Sequence, residues 1–91
     1  MNGVKEYYNF CSRILNAALN GEKVLITFES ANIFFSGSFK VEPVSENESL
    51  FEIVAENATF SFSKNDKLSV EYDESEDQFI ITDDGCRVVF T

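Results

Sequence analysis

Histidine is absent from this chain of 91 residues, and basic side chains are few: seven lysines and arginines stand against sixteen aspartates and glutamates. Histidine is the commonest general acid or base and the commonest metal ligand, so its absence removes the usual means of acid–base catalysis and metal binding. The net charge of −9 repels DNA, RNA and anionic membranes and favours basic partners. We therefore expect no direct nucleic-acid binding and no membrane binding.

Cysteine is also scarce, since only Cys11 and Cys86 are present. A domain held together by disulfides usually has more cysteines, and both of these fall in patterns typical of small core residues. Free thiols are therefore expected, and a disulfide is the less favoured alternative. Long apolar runs are missing too. No stretch is long enough to span a membrane, and no N-terminal stretch has the apolar run of a signal peptide. The expected compartment is the cytoplasm.

Sequence motifs for catalysis are absent. There is no glycine-rich phosphate loop and no cysteine–histidine metal pattern. Neither thiol has a histidine to activate it. The serines alternate along predicted strands, as they do on the polar face of a sheet, and a chain of this size has little room for a sugar cleft between paired carboxylates. We expect no enzymatic activity, no metal and no cofactor.

The first part of the chain has the pattern of an amphipathic helix. Apolar residues recur at steps of three and four from Val4 to Leu19, which predicts a helix there within residues 1–21. Asn2 is the expected N-cap. Asn20 and Gly21 form a stop signal, because both residue types adopt the left-handed conformation that ends helices.

Beyond Gly21 the period of the apolar residues changes to two, which predicts antiparallel strands over residues 22–91. The connections are too short for crossover helices, so we expect a meander of about six strands. Gly37 interrupts a strong strand pattern and suggests a bulge or bend. The predicted fold is α+β: one domain over residues 1–91, with the N-terminal helix packed on a strongly curved meander or small, partly open barrel. The predicted core contains Tyr7, Cys11, Leu15, Ile26, Phe28, Phe39, Ile53, Phe60, Phe62, Val70, Phe79 and Val88.

Thirteen of the sixteen acidic residues lie from Glu42 onward, where only three basic residues oppose them. A one-sided negative surface of this kind imitates nucleic-acid phosphates to a protein that binds them. The alternative is charge that only keeps the protein soluble. The dense run at 73–77 lacks the spacing of a calcium loop and is typical of a hairpin tip. The candidate partner-binding residues are Glu42, Glu46, Glu48, Glu52, Glu56, Asp73, Glu74, Glu76, Asp77, Asp83 and Asp84.

Two resemblances bear on this interpretation. The stretches from Val24 to Phe28 and from Gly37 to Val41 resemble in outline the first signature of Sm-like small barrels. Ala31 stands where that family has a turn glycine, and the family's nucleotide-contacting Asp and Asn are unmatched, so RNA binding is not carried over. In size, acidity and lack of catalytic groups the chain is similar to phage-encoded inhibitors of bacterial defence, including anti-CRISPR proteins. This second similarity is one of composition and implies a viral inhibitor protein.

The function expected from these features is non-enzymatic: the acidic surface binds and inhibits a basic protein, such as a nuclease or another nucleic-acid-binding protein. The alternative is a self-associating interaction module with a small-barrel fold, which includes a homodimer. In that case the contact is expected at apolar residues on the polar face of the sheet, namely Leu25, Phe34 and Ile80.

Overall fold

The structure, a computed structural model, describes all 91 residues. One helix opens the chain and eight strands follow it, so the predicted α+β fold with an N-terminal helix and antiparallel strands is confirmed. The elements are α1 (Val4–Asn20), β1 (Lys23–Glu29), β2 (Phe34–Lys40), β3 (Ser45–Glu46), β4 (Leu50–Val54), β5 (Thr59–Ser63), β6 (Ser69–Asp73), β7 (Gln78–Asp83) and β8 (Cys86–Phe90). The helix is not long and apolar enough to cross a membrane.

Helix α1 buries one stripe of side chains, formed by Tyr7, Phe10, Ile14 and Ala17. Steps of three and four residues place these four on one face of an α-helix. The helix ends as predicted at Gly21, which takes the left-handed conformation with φ 65° and donates its backbone N–H to carbonyls of the last turn.

The start of the helix differs from the prediction, because Gly3 and not Asn2 is the N-cap. Asn2 instead pairs with the edge of β6: its N–H donates to the Leu68 carbonyl at 2.8 Å, and its own carbonyl accepts from Val70 at 2.9 Å. The backbone of Gly3 therefore lies directly against Val70. A Cβ on Gly3 would stand 2.0 Å from the Val70 carbonyl oxygen, so only glycine fits there.

The strands form a five-stranded sheet in the order β2-β1-β8-β7-β6 and a three-stranded sheet in the order β3-β4-β5. The prediction of about six strands in one meander is wrong in number and order. The chain leaves the first sheet after β2, builds the second sheet, and returns for β6. The last strand then pairs with the first, with Ile26 opposite Phe90 and Phe28 opposite Val88. Neither sheet closes on itself, so the fold is not a small barrel.

One continuous stretch of chain connects the two sheets. Beyond β2, Val41 pairs with Ala55 at the end of β4, and β3 then pairs with β4. The bend that the sequence suggested at Gly37 is absent, because Gly37 pairs with Ile26 in an unbroken ladder. Gly37 instead leaves room for the side chain of Phe39 on the same strand, since a Cβ on residue 37 would lie 2.8 Å from the Phe39 ring.

The core lies between the two sheets and the helix. The Phe10 ring packs on Phe90 of the first sheet at 4.9 Å between centroids, and the Tyr7 ring packs on Phe51 of the second sheet at the same distance. Phe60 of the second sheet faces Phe90 at 6.1 Å. A single helix thus contacts both sheets, and its aromatic side chains fill the space where they meet.

Most of the predicted core is buried. The buried members are Tyr7, Ile26, Ile53, Phe60, Phe62, Val70, Phe79 and Val88. Cys11, Phe28 and Phe39 are only half-buried at its margin. Leu15 was wrongly predicted, since 42% of it is exposed. It follows Ile14, which occupies the buried stripe, and successive helical residues point about 100° apart.

Candidate binding surfaces

The second sheet and its connecting segments carry a set of acidic residues, of which Glu52 is half-buried on a strand and the other three are exposed. Phe51 and Ile53 of β4 point into the core, so Glu52 between them points outward, where it accepts a 3.0 Å hydrogen bond from the Ser61 hydroxyl. Glu42 follows buried Val41 and is exposed on the same face. Two more glutamates lie at opposite ends of β4. We call this set the outer glutamates: Glu42, Glu48, Glu52 and Glu56.

The outer glutamates have no salt-bridge partner. The four ion pairs of the molecule use Arg13, Lys64, Lys67 and Arg87, and none of them includes an outer glutamate. Their polar contacts come from neutral donors: Ser61 for Glu52, and the backbone N–H of Lys40, at 2.6 Å, for Glu56. Their negative charge is therefore presented to solvent without compensation.

Glu46 belongs to the same stretch of sequence but has a different environment. Its carboxylate accepts a hydrogen bond from the hydroxyl of buried Tyr7 and a 2.9 Å ion pair from Lys64. Lys64, helped by Tyr7, holds the pKa of Glu46 below its ordinary value. The pKa of Tyr7 is raised, first by burial and then by the hydrogen bond to Glu46. Glu46 thus connects the helix to the second sheet, and its charge is partly neutralised.

The acidic run at 73–77 forms the tip of the β6–β7 hairpin, as its composition predicted. Asp73 accepts hydrogen bonds from the N–H and hydroxyl of Ser75, and the hydroxyl contact lowers its pKa. Asp77 accepts from Tyr72 at 2.5 Å and pairs with Arg13 of the helix at 2.7 Å; these two contacts, Tyr72 first, lower its pKa. Glu74 and Glu76 at this tip are exposed and have no such contacts.

The third acidic group, Asp83 and Asp84, lies at the other end of β7 from this tip. A strand of six residues spans about 20 Å, so the two groups are on opposite ends of the first sheet. Asp84 and Gly85 form the tight turn of the β7–β8 hairpin with positive φ angles, and Asp84 pairs with Lys67 at 3.4 Å. The structure therefore distributes the eleven predicted acidic residues over three separate places instead of one face.

The outward face of the first sheet carries the apolar residues that the alternative interpretation named. Phe34 is 68% exposed and Leu25 is 42% exposed, while Ile80 is half-buried beside Val89 on the neighbouring strand. Opposite Phe34, Glu29 forms a 2.9 Å ion pair with Arg87. This face is therefore nearly neutral and carries exposed apolar side chains among polar ones, in contrast to the second sheet.

The two thiols are free and half-buried. Burial raises the pKa of Cys11, which favours the thiol over the nucleophilic thiolate. The acidic and cysteine side chains do not converge in threes as metal ligands do.

The largest surface groove, about 630 Å³, lies between the helix and β6. Its lining is mostly charged and polar, with Lys5, Glu6, Glu71 and Glu74 among its residues. Small-molecule sites are usually lined by apolar and aromatic side chains. The lining of this groove instead resembles the rest of the polar surface, so the groove does not have the character of a ligand pocket.

Comparisons with protein-family models, with curated proteins and with solved structures find no match. The site must therefore be argued from this chain alone. The sequence pattern indicated the acidic residues but not the Tyr7–Glu46–Lys64 network, because the three residues lie on different elements and no local spacing connects them.

Proposed function

We propose that this chain is a non-enzymatic binding protein whose outer glutamates engage the basic surface of a nucleic-acid-binding protein, such as a nuclease, and block it. The observation that carries the proposal is the group of four carboxylates around β4 without a salt-bridge partner. Carboxylates without a salt-bridge partner, grouped on β4 and in the segments that flank it, present a local negative field to a basic partner. Such a field competes with phosphates for the same arginine and lysine side chains.

The surroundings of the outer glutamates support this role. Lys64, the basic residue that follows β5, is already paired with Glu46 and does not compete with a partner's cations for the outer glutamates. Serine and threonine side chains at Ser45, Thr59, Ser61 and Ser63 are exposed on the strands of the same sheet, so little apolar surface has to be covered. The compartment that fits such a target is the cytoplasm, and an anti-CRISPR-like viral inhibitor is one form of the proposal.

The test is a pull-down from the native host with the wild-type chain, followed by competition with double-stranded DNA on the captured protein. The decisive variant converts all four outer glutamates to glutamine. A matched control also removes four negative charges but at scattered positions: Glu6→Gln, Glu22→Gln, Asp66→Asn and Glu71→Gln. We expect the first variant to lose binding by more than tenfold and the control to retain it. Binding by the wild type should weaken steeply with salt, because the screening length is about 8 Å at physiological ionic strength.

If the variant without the four outer glutamates bound the captured protein as well as the control variant and the wild type do, the acidic surface would act only in solubility. The proposal would then be wrong. The non-enzymatic part has its own test in a broad hydrolase screen. Reproducible turnover that Cys86→Ser or Glu52→Gln abolishes would contradict it.

A second candidate function is self-association, and the exposure of Phe34 and Leu25 favours it. Both side chains lie on the nearly neutral outward face of the first sheet, where a second acidic copy meets the least repulsion. Sedimentation at several concentrations distinguishes the two candidates. A strict monomer favours the acidic inhibitor, and a stable oligomer that resists salt favours self-association.

A further inference from the structure

Strand β2 is an open edge of the first sheet, with a row of free backbone groups. The N–H of Ser30 donates to the carbonyl of Ile33 at 2.9 Å, which sets the phase of the β1–β2 ladder. Hydrogen-bonded pairs alternate along an antiparallel ladder, so Phe35, Gly37 and Phe39 bond to β1. The N–H and carbonyl groups of the intervening residues, Phe34, Ser36 and Ser38, point away from the sheet.

Within the chain, only the last residue of β2 is hydrogen-bonded on this open edge. At Lys40 the outward groups are used: the Lys40 carbonyl accepts from the Glu56 N–H at 3.1 Å, and the Lys40 N–H donates to the Glu56 carboxylate. The chain turns away after Glu56 to form β5. The vacant part of the edge therefore starts at Ser38 and continues to Phe34.

This vacant edge lacks the features that prevent strand pairing. Proteins protect open edges with prolines, bulges or charged side chains. From Phe34 to Phe39 there is no proline and no charge, and the ladder to β1 is continuous. The outward side of β5 is also open, but it belongs to the sheet that carries the outer glutamates, where a second acidic chain is repelled.

The charges around β2 identify a second copy of this chain as its occupant. Although the net charge is −9, the β1–β2 hairpin carries Lys23 and Lys40 against Glu29, and Glu29 is neutralised by Arg87. Two copies therefore meet with least repulsion at this hairpin. We propose that β2 pairs antiparallel with β2 of a second copy, which joins the two five-stranded sheets into one continuous sheet about a two-fold axis. This inference rests on the second candidate function and is independent of the acidic inhibitor.

The free groups also determine the register. The only antiparallel register in which all three open residues bond to one another pairs Ser36 with Ser36 of the second copy, and Phe34 with Ser38. Phe34 then lies in the same cross-strand row as Leu25 of the other copy, two strands away, with only the small side chain of Ser38 between them. On the inner face the same register places Phe35 opposite Gly37, over which the ring of Phe39 already lies. The most exposed aromatic side chain, Phe34, thus lies at the dimer contact.

The experiment is sedimentation velocity over a wide concentration range, with substitutions at Ser36. Ser36 is exposed and its backbone does not bond to β1, so Ser36→Lys and Ser36→Glu leave the monomer fold intact, which circular dichroism checks. Each variant alone places like charges face to face and is expected to be monomeric where the wild type is dimeric. An equimolar mixture of the two is expected to dimerise again. The matched control is Ser61→Lys, the same change on the other open edge, which is expected to remain dimeric.

Each other outcome overturns the inference in a distinguishable way. A wild-type chain that is monomeric at every concentration contradicts self-association itself. A dimer that survives Ser36→Lys leaves self-association standing but excludes the β2 edge. Loss of the dimer in both variants without recovery in the mixture excludes the register with Ser36 on the axis.

Discussion

The hydroxyl of Tyr7 on the helix donates a hydrogen bond to the carboxylate of Glu46 on β3, 39 residues further along the chain. Tyr7 is fully buried, and this carboxylate accepts the hydrogen bond from its hydroxyl. Lys64 stands over the Tyr7 ring at 5.4 Å from its centroid and pairs with the same carboxylate. The three residues join the helix, β3 and the residue after β5, so one contact holds the helix against the second sheet.

Tyr7→Phe keeps the ring packing and removes only the hydroxyl. Because a hydrogen bond to a charged group contributes more than a neutral one, we expect the free energy of unfolding to fall by about 1–2 kcal/mol. Urea unfolding measures the change. Tyr8→Phe is the matched control, since Tyr8 is 58% exposed and makes no side-chain hydrogen bond. An equal effect of the two substitutions would show that the Tyr7–Glu46 contact does not stabilise the fold.

The stability of the protein should fall in acid. Glu46, Asp73 and Asp77 have pKa values lowered in the folded state, by Lys64, Ser75 and Tyr72 respectively. A carboxylate with a lowered folded pKa contributes stability above its unfolded pKa of about 4, and that stability is lost as the pH falls through the folded pKa. The unfolding free energy should therefore be constant near neutral pH, where no histidine titrates, and decrease below about pH 4.5.

Glu46→Gln assigns part of this acid dependence to one residue. The variant is expected to be less stable than the wild type at pH 7, and the deficit is expected to shrink as the pH falls through the lowered pKa of Glu46 and the wild-type carboxyl becomes protonated as well. Glu76→Gln removes an exposed carboxylate without a hydrogen-bond partner and is expected to leave the unfolding free energy unchanged. A Glu46→Gln deficit that persists undiminished in acid would contradict this assignment.

Local periodicity predicted the helix and the strands of this fold better than it predicted which strands pair with one another. The helix and the buried alternation of Phe60 and Phe62 follow from the period of their own residues. The pairing of β1 with β8 does not, because alternation indicates which side of a strand is buried but not which strand lies beside it. For the same reason the excursion of β3–β5 into a second sheet was missed.

The candidate site shows the same limit. Charge counting identified Glu42, which is exposed, and Glu52, which is half-buried on the outward side of β4. It also identified Glu46 and Asp77, which the fold pairs with Lys64 and Arg13. Whether a carboxylate is free depends on which cation the tertiary structure brings to it, and these cations lie on other elements. The apolar alternation of β2 did predict that Phe34 faces away from the core.

Phe62→Ala tests the core directly. Phe62 is 6% exposed and stacks on Phe51 at 5.2 Å between ring centroids. Removing a buried phenylalanine side chain is expected to lower the unfolding free energy by roughly 3–5 kcal/mol. Phe34→Ala is the matched control: at 68% exposure it is expected to leave the stability of the monomer unchanged. A thermal shift assay that finds no loss for Phe62→Ala would contradict the register of β5.

Alanine substitutions at two glycines with positive φ distinguish the cost of backbone strain from the cost of a steric clash. Gly3 and Gly21 have φ angles of 85° and 65°, so an alanine at either position pays the left-handed penalty of about 1 kcal/mol. At Gly21 no atom lies within 4 Å of the added Cβ, but at Gly3 the Val70 carbonyl oxygen would be 2.0 Å away. Gly21→Ala is therefore expected to cost about 1 kcal/mol, while Gly3→Ala must also move the helix away from β6 and is expected to cost about 3 kcal/mol or more. Thermal unfolding of both variants measures the difference. Equal costs would show that the helix start does not lie against Val70 as closely as described.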